Sequence, residues 1–163
     1  MKKGYTIALL LVASLFLNDL RAQSAEDDIQ IIQGAWGKQK RELVRIGMEL
    51  SMADSLKFWP IYDKYEVARK KIGKERLLIL SDYANSYDTL TSAKADALVN
   101  RLFKNDAANN QLLQVYYNQF KKSMNALQAA KFLHIESFLQ SYIKANLQGN
   151  LPFIGDLEMM KSN

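Results

Sequence analysis

The sequence has no cysteine, one histidine, two prolines and seven glycines among its 163 residues. Without cysteine, the chain has no disulfide, no thiolate zinc site, no cysteine nucleophile and no lipid-modified cysteine anchor. Strand-rich folds place proline and glycine at frequent turns, so their scarcity favours long helices. A single histidine also makes a transition-metal site within one chain a poor hypothesis.

Enzyme motifs are also missing. The chain has no Ser-His-acid pattern, no Gly-rich phosphate loop and no carboxylate pair whose spacing stands out. We interpret His134, which lies between Leu133 and Ile135, as a structural or surface histidine rather than a general base. A dimer would bring His134 near its symmetry mate or near Glu136, which leaves a metal site as an alternative. The sequence therefore predicts no enzymatic activity and no cofactor.

The longest apolar run is at the N-terminus. Lys2 and Lys3 precede an apolar stretch over residues 7–17, and the small residue Ala22 follows. This layout is typical of a secretory signal peptide, and the run is shorter than the roughly 20 residues that span a bilayer. We predict that residues 1–22 are a signal peptide cleaved after Ala22. Cleavage after Ala25 is the second choice, and an uncleaved membrane anchor is the alternative.

Removal of the signal peptide changes the charge of the chain. The 22 basic and 17 acidic residues fall to 19 and 16, so the net charge falls from +5 to about +3. This mild basicity does not require a nucleic-acid partner, and we predict none. We expect a periplasmic protein without stable membrane insertion, because no other stretch approaches the length of a membrane span.

Apolar residues recur at helical spacing in four segments of the mature chain, and no strand pattern is present. The predicted helices cover residues 27–48, 51–83, 91–120 and 125–147. The fold class is therefore all-α, with a helical domain over residues 23–150. Within the third helix, residues 104–111 are polar on all sides, so we expect them to be exposed.

The borders of the helices have their own signals. Ser51 with Asp54, and Asn125 with Gln128, are spaced as capping boxes, in which each partner hydrogen-bonds the other's backbone. Thr91 or Ser92 caps the third helix. Polar residues 84–90 predict a loop that turns the two long helices into an antiparallel hairpin.

Pro60 and the C-terminal residues complete the prediction. Proline inside a helix removes a hydrogen bond, so we expect a bend near Phe58. We predict a core around the ends of the hairpin that is formed by Met52, Met124, Phe58, Trp59, Phe132 and Leu133. Residues 151–163 are a tail, for which we expect a short apolar contact followed by a frayed end.

Two segments of the chain can be aligned, residues 50–61 and residues 124–135. Both have an apolar residue, a cap, an Asp or Gln three residues after the cap, and then Lys-Phe. The paired residues are Leu50 with Met124, Ser51 with Asn125, Asp54 with Gln128, Lys57 with Lys131 and Phe58 with Phe132. Each copy begins a helix just after the preceding helix ends.

This repeat resembles the doubled LTxxQ signature of the CpxP/Spy family of exported helical proteins. The first copy has Asp54 in place of Gln, and the second keeps Gln128 but lacks the Leu-Thr pair. Residues 57–62 also resemble versions of the family common in Bacteroidetes. The resemblance implies a thin, cradle-shaped homodimer of bent helical hairpins. Members of the family hold unfolding proteins without ATP, or sense envelope or metal stress.

A basic segment follows the first copy of the repeat. It has six cations within 13 residues: Lys64, Arg69, Lys70, Lys71, Lys74 and Arg76. The apolar residue Ile72 lies among them and is included in the predicted surface. One interpretation is a solvated helix face with intrahelical ion pairs. The other is one side of a surface that binds client proteins, where long basic side chains cover apolar surface and attract acidic segments.

The sequence leaves several functions open. The first is an ATP-independent chaperone for unfolded or partner proteins. The second is an envelope-stress sensor that acts on an anti-sigma factor or a sensor kinase, and the third is a metal-binding stress protein. A Skp-like jaw is a fourth, but it needs strands that the sequence does not predict.

Overall fold

A computed structural model describes residue 33 and residues 36–148 of the chain. The predicted signal peptide, the predicted start of the first helix and the predicted tail lie outside the described residues. The chain divides into two compact units, Met1–Gln39 and Lys40–Asn163. In the first unit, residue 33 and residues 36–39 are helical. The residues that build the hydrophobic core all lie in the second unit.

Four helices and one short 3₁₀ helix make up the described residues, which contain no strand. They are α1 (residues 36–48), α2 (Met52–Ser86), the 3₁₀ helix (Tyr87–Thr89), α3 (Ser92–Ser123) and α4 (Ala126–Gln148). The all-α prediction is confirmed. Helix α2 packs against α3, and α3 packs against α4.

Helices α2 and α3 form the predicted antiparallel hairpin. Phe58 of α2 stacks on Phe120, and Arg101 of α3 hydrogen-bonds Glu75. Contacts that advance along α2 therefore move back along α3, which is the antiparallel arrangement. Helix α2 continues through Pro60 without interruption.

The three predicted N-caps are confirmed. Ser51 Oγ accepts a hydrogen bond from the backbone N–H of Asp54 at 3.1 Å, and Asn125 Oδ1 accepts one from Gln128 at 2.9 Å. Thr91, one of the two predicted caps of the third helix, accepts from Lys94. These bonds satisfy N–H groups that the first turn of a helix leaves without partners.

In a capping box, the residue three positions after the cap also hydrogen-bonds the backbone N–H of the cap residue. Neither Asp54 nor Gln128 makes this second bond. The carboxylate of Asp54 accepts from the Ser51 hydroxyl at 2.9 Å, because Asp is too short to reach past the cap residue as Glu does. Gln128 Oε1 is buried without a hydrogen-bond partner. Its side chain is turned inward, so the predicted return bond to the cap is not made.

The predicted loop over residues 84–90 is mostly helical. Helix α2 extends to Ser86, whose hydroxyl donates to the carbonyl oxygen of Asp82 at 2.6 Å, and the 3₁₀ helix follows at once. A serine hydroxyl that bonds the preceding turn is compatible with a helix. Residues 84–86, which we expected in a loop, therefore continue α2. Only Leu90 and Thr91 separate the 3₁₀ helix from α3.

All four helices contribute to one core, which we call the base. Its buried members are Val44, Met48, Phe58, Tyr62, Tyr65, Leu113, Phe120, Ala129, Phe132 and Leu139. Phe58 and Phe132, the paired phenylalanines of the repeat, meet edge to face with ring centroids 6.1 Å apart. Phe120 stacks on Phe58 at 4.7 Å and lies 4.4 Å from Phe132. The repeat thus places two equivalent aromatic rings in the same core.

The other end of the hairpin, residues 73–104, is the tip. Only Ile79 and Leu98 are buried there. Its half-buried apolar residues are Leu77, Leu78, Leu80, Tyr83, Tyr87, Leu90, Ala95 and Leu102. Arg101 Nη1 bonds Asp82 at 2.5 Å and its Nε bonds Glu75 at 3.0 Å, which links the two helices across the tip.

Candidate functional site

The predicted basic segment is divided between two faces of α2. Arg69 and Arg76 are seven residues apart and therefore lie on the same face, which is turned toward the interior. Arg69 is buried, and Arg76 bonds Asp106 of α3 at 2.8 Å. Lys64 and Lys71, also seven residues apart, are exposed on the opposite face, and Lys70 and Lys74 are half-buried. Arg69 is thus a structural residue rather than a surface cation.

Arg69 belongs to a group of four charged residues that we call the buried ionic cluster: Lys40, Glu66, Arg69 and Glu136. Lys40 Nζ lies 2.5 Å from a carboxylate oxygen of Glu66 and 2.5 Å from one of Glu136. Arg69 Nε donates to Glu66 at 2.9 Å. Lys40, in α1, is therefore ion-paired with both α2 and α4.

Burial controls the electrostatics of this cluster. Loss of hydration lowers the pKa of Lys40 from its ordinary value, although the nearby carboxylates oppose the shift. Burial also disfavours the ionised form of Glu66. The positive charges of Lys40 and Arg69 outweigh that effect and hold the pKa of Glu66 below its ordinary value. Burial and the charge of Glu136 raise the pKa of the neighbouring Tyr65.

A buried lysine with a lowered pKa next to a tyrosine is also found in catalytic sites. Here both carboxylates hold the ammonium group, and the side chain of Lys40 is 1% exposed. Lys40 does not line the groove described below. We infer that the buried ionic cluster fixes the position of residues 40–48 of α1 against α2 and α4, because a shift of these residues would leave buried charges without partners.

An open groove of about 330 Å³ lies between α2 and α3, and we call it the charged groove. Its lining residues are Lys71, Ile72, Glu75, Arg101, Lys104, Asn105 and Ala108. Lys71 and Lys104 are exposed on its two sides. Ile72 supplies apolar surface. The structure thus pairs two residues of the predicted segment, Lys71 and Ile72, with cations of α3 that the sequence did not single out.

Asn105 corrects the expectation that residues 104–111 are exposed. Its side chain is buried, and its Nδ2 donates to the carbonyl oxygen of Ile72 at 2.8 Å. Asn109, one turn later, donates to Gln140 of α4 at 2.8 Å. This polar stretch therefore faces α2 and α4 on one side, because side-chain amides satisfy the hydrogen-bonding groups that packing buries.

A second surface, which we call the outer face of α2, carries large apolar side chains in water. Met52, Leu56 and Val67 are 80%, 74% and 62% exposed. Their positions in the helix place them on the same side as Lys64 and Lys71, away from the base. The prediction that Met52 belongs to the core is wrong, because its side chain lies about 120° around the helix axis from Phe58 and is exposed.

His134 is exposed on α4, whereas Glu136 is buried with Lys40. Two residues in a helix are about 200° apart around its axis, so these side chains point in different directions. Among the residues that the structure describes, no group of three His, Cys, Asp or Glu side chains is arranged to hold a metal ion.

Comparison with protein-family models gave no match, and neither did comparison with curated proteins or with solved structures. Within residue 33 and residues 36–148, no helix combines the length and apolar character needed to cross a membrane.

Proposed function

We propose that this protein is an exported, ATP-independent chaperone-like protein that binds non-native proteins on the outer face of α2 and in the charged groove. One observation carries the proposal: three large apolar side chains on the outer face of α2 are 62–80% exposed, and lysines lie beside them. Exposed apolar surface rimmed by polar residues marks sites of protein interaction.

This combination suits a partner without a fixed structure. The apolar side chains gain free energy when a client covers them, at about 25 cal/mol per Å² of apolar surface removed from water. Lys64 and Lys71 add attraction for acidic segments, and their long stems cover apolar surface. Neither contribution requires a defined shape in the client. Binding is therefore weak and reversible, and a client folds or leaves without ATP.

The proposal includes a homodimer in the periplasm. The paired motifs at Leu50–Asp54 and Met124–Gln128 support it through their resemblance to the CpxP/Spy family, as does the signal-like N-terminus. In a dimer, two copies of the outer face of α2 would offer a longer surface to one client chain. No part of the proposal requires a cofactor.

An aggregation assay with a chemically denatured client tests the function. We expect the protein to suppress light scattering at a near-stoichiometric ratio. Lys64→Glu with Lys71→Glu should weaken suppression of an acidic client. The control, Lys94→Glu with Lys121→Glu, makes the same change in net charge at exposed positions outside both surfaces and should behave as the unchanged protein.

The apolar contribution has its own variant. Leu56→Ser with Val67→Ser removes apolar surface that is already exposed, so the fold should be retained. We expect this variant to lose suppression for acidic and basic clients alike. If the unchanged protein gives no suppression at a near-stoichiometric ratio, the chaperone proposal is wrong.

A further inference from the structure

The charged groove lies on the side of α3 that α4 does not cover. Lys144 of α4 donates to Asp106 of α3 at 2.8 Å, and Asn109 of α3 donates to Gln140 of α4 at 2.8 Å. Around the axis of α3, Lys104 lies about 200° from Asp106 and about 140° from Asn109, so it points away from α4. The groove between α2 and α3 is thus left open to solvent.

The charges that line the groove do not cancel. Glu75 accepts two hydrogen bonds from Arg101, at 3.0 and 2.9 Å, so these two opposite charges neutralise each other. Lys71 and Lys104 are exposed on the two sides of the groove, and neither has an ion pair or hydrogen bond within the part of the chain that the structure describes. Two positive charges therefore remain, and they favour an occupant that carries carboxylates.

The floor between the two lysines offers apolar surface. Ile72 of α2 and Ala108 of α3 both line the groove. Asn105, also in the lining, donates its amide to the carbonyl oxygen of Ile72 at 2.8 Å, so this donor already has a partner. The groove has a volume of about 330 Å³, at the lower end of the range for ligand sites. It therefore has room for an aliphatic side chain between the two lysines.

We propose that the charged groove binds an acidic client segment in which an aliphatic side chain is flanked by carboxylates. The aliphatic side chain packs on Ile72 and Ala108, and the carboxylates pair with Lys71 and Lys104. This assignment rests on the proposed chaperone function and adds a sequence preference to it. The outer face of α2 offers apolar contact to any client, whereas the groove selects acidic segments.

Two features favour a segment of a longer chain over a small molecule. Small-molecule sites enclose most of their ligand, whereas this groove is open. Val67 of the outer face lies one turn before Lys71, about 6 Å along α2, so the outer face and the groove meet at this lysine. A client chain that covers the outer face of α2 can therefore continue into the groove.

Peptide binding tests the groove separately from chaperone activity. The probe is a fluorescein-labelled peptide in which one leucine stands between two pairs of glutamates, and fluorescence anisotropy follows its binding to the protein. We expect it to bind about tenfold more tightly than the same peptide with glutamine in place of glutamate. Raising the salt concentration should reduce that difference. Equal binding of the two peptides, or no binding of the acidic one, would overturn the proposal.

Filling the floor of the groove tests where the peptide binds. Ala108→Phe puts a large side chain into the groove without a change of charge. Ala107→Phe is the matched control, because Ala107 is also exposed on α3 but does not line the groove. We expect only Ala108→Phe to weaken binding of the acidic peptide, by about tenfold. Equal binding by the two variants would place the peptide elsewhere and overturn the proposal.

Reversing the two lysines tests the charges. Lys71→Glu with Lys104→Glu should abolish binding of the acidic peptide, whereas the control Lys94→Glu with Lys121→Glu, with the same net charge, should retain most of it. Equal losses in both would mean that net charge alone attracts the peptide, and would overturn the proposal.

The peptide assay and the aggregation assay fail independently. If the protein suppresses aggregation but does not bind the acidic peptide, the groove assignment is wrong and the chaperone function stands. If it binds the peptide in the groove but does not suppress aggregation, the groove assignment is supported and the chaperone function is wrong.

Discussion

The base and the tip of the hairpin are made from the same two helices but are held together differently. At the base, all four helices surround Phe58, Phe120 and Phe132, and charged groups are buried as matched pairs. At the tip, α2 and α3 bury only Ile79 and Leu98, and partly exposed ion pairs join them. Burial of apolar surface is the main source of stability, so the base should hold the fold and the tip should open first.

The charged groove lies where these two regions meet, and the outer face of α2 extends along the base. The proposed binding surfaces are therefore supported by the stable region without being part of its core. A client would contact surface residues whose substitution costs little stability, which allows binding and folding to be changed separately.

The largest effect should come from the aromatic center of the base. Phe132→Ala removes a fully buried ring and should lower the free energy of unfolding by about 3–5 kcal/mol. Leu98→Ala at the tip and Leu139→Ala at the base remove the same side chain at the same 6% exposure. The tip variant should cost less, about 2 kcal/mol, because two helices close a cavity more easily than four. Denaturant unfolding followed by circular dichroism measures all three variants. Equal losses in the two leucine variants would break the distinction between the two regions.

Removing the lysine of the buried ionic cluster should have the next largest effect. Lys40→Met leaves Glu136 buried without its cation and should cost about 3 kcal/mol. The double variant Lys40→Met with Glu136→Leu removes both charges and should recover most of that loss. If the double variant is no more stable than Lys40→Met, the Lys40–Glu136 pair contributes to stability beyond fixing the position of α1.

Lowering the pH should reduce the stability of the folded protein, because protonation of Glu66 removes its ion pairs with Lys40 and Arg69. Its pKa is lowered in the folded protein, so its contribution to stability is present above its unfolded pKa of about 4.3 and is lost as the pH falls through the folded value. We expect Glu66→Gln to flatten this acid-dependent part of the stability curve. Unfolding midpoints measured from pH 6 down to pH 2 test it. An unchanged slope in the variant would assign the acid sensitivity to other carboxylates.

The smallest effect should be at the ion pairs of the tip. Arg101→Met breaks the bonds to Glu75 and Asp82, but all three side chains are at least a third exposed, so the loss should be about 0–1 kcal/mol. Raising the salt concentration should reduce the difference between this variant and the unchanged protein. A loss as large as that of Lys40→Met would mean that the tip depends on its charges as the base does.

Local sequence patterns were enough to predict the helices and their caps. Ser51, Thr91 and Asn125 act on N–H groups three residues away, so their roles are visible in a short window of sequence. The repeat also aligned Phe58 with Phe132, which were predicted to be core residues and whose rings pack together in the base. Residues 84–86 were misassigned because serine and asparagine favour turns but also extend helices.

The buried ionic cluster could not be predicted in the same way. Lys40 stands beside Lys38 and Arg41, and no local feature distinguishes it from a surface lysine. Its burial depends on Glu66, 26 residues away, and on Glu136, 96 residues away. The same is true of Asn105, whose polar neighbours indicated exposure but whose partner, Ile72, lies 33 residues earlier. Long-range packing decides which member of a charged run is buried.

Native-state hydrogen exchange tests the contrast between the base and the tip most directly. We predict that amides around Phe58 and Phe132 exchange only through global unfolding. Amides around Ile79 and Leu98 should exchange through an opening of the tip whose free energy is smaller and falls less steeply with denaturant than that of global unfolding. A denatured client should slow exchange beside the outer face of α2 and the charged groove. Uniform protection along α2 and α3 would contradict this account, because the tip would then be as firmly held as the base.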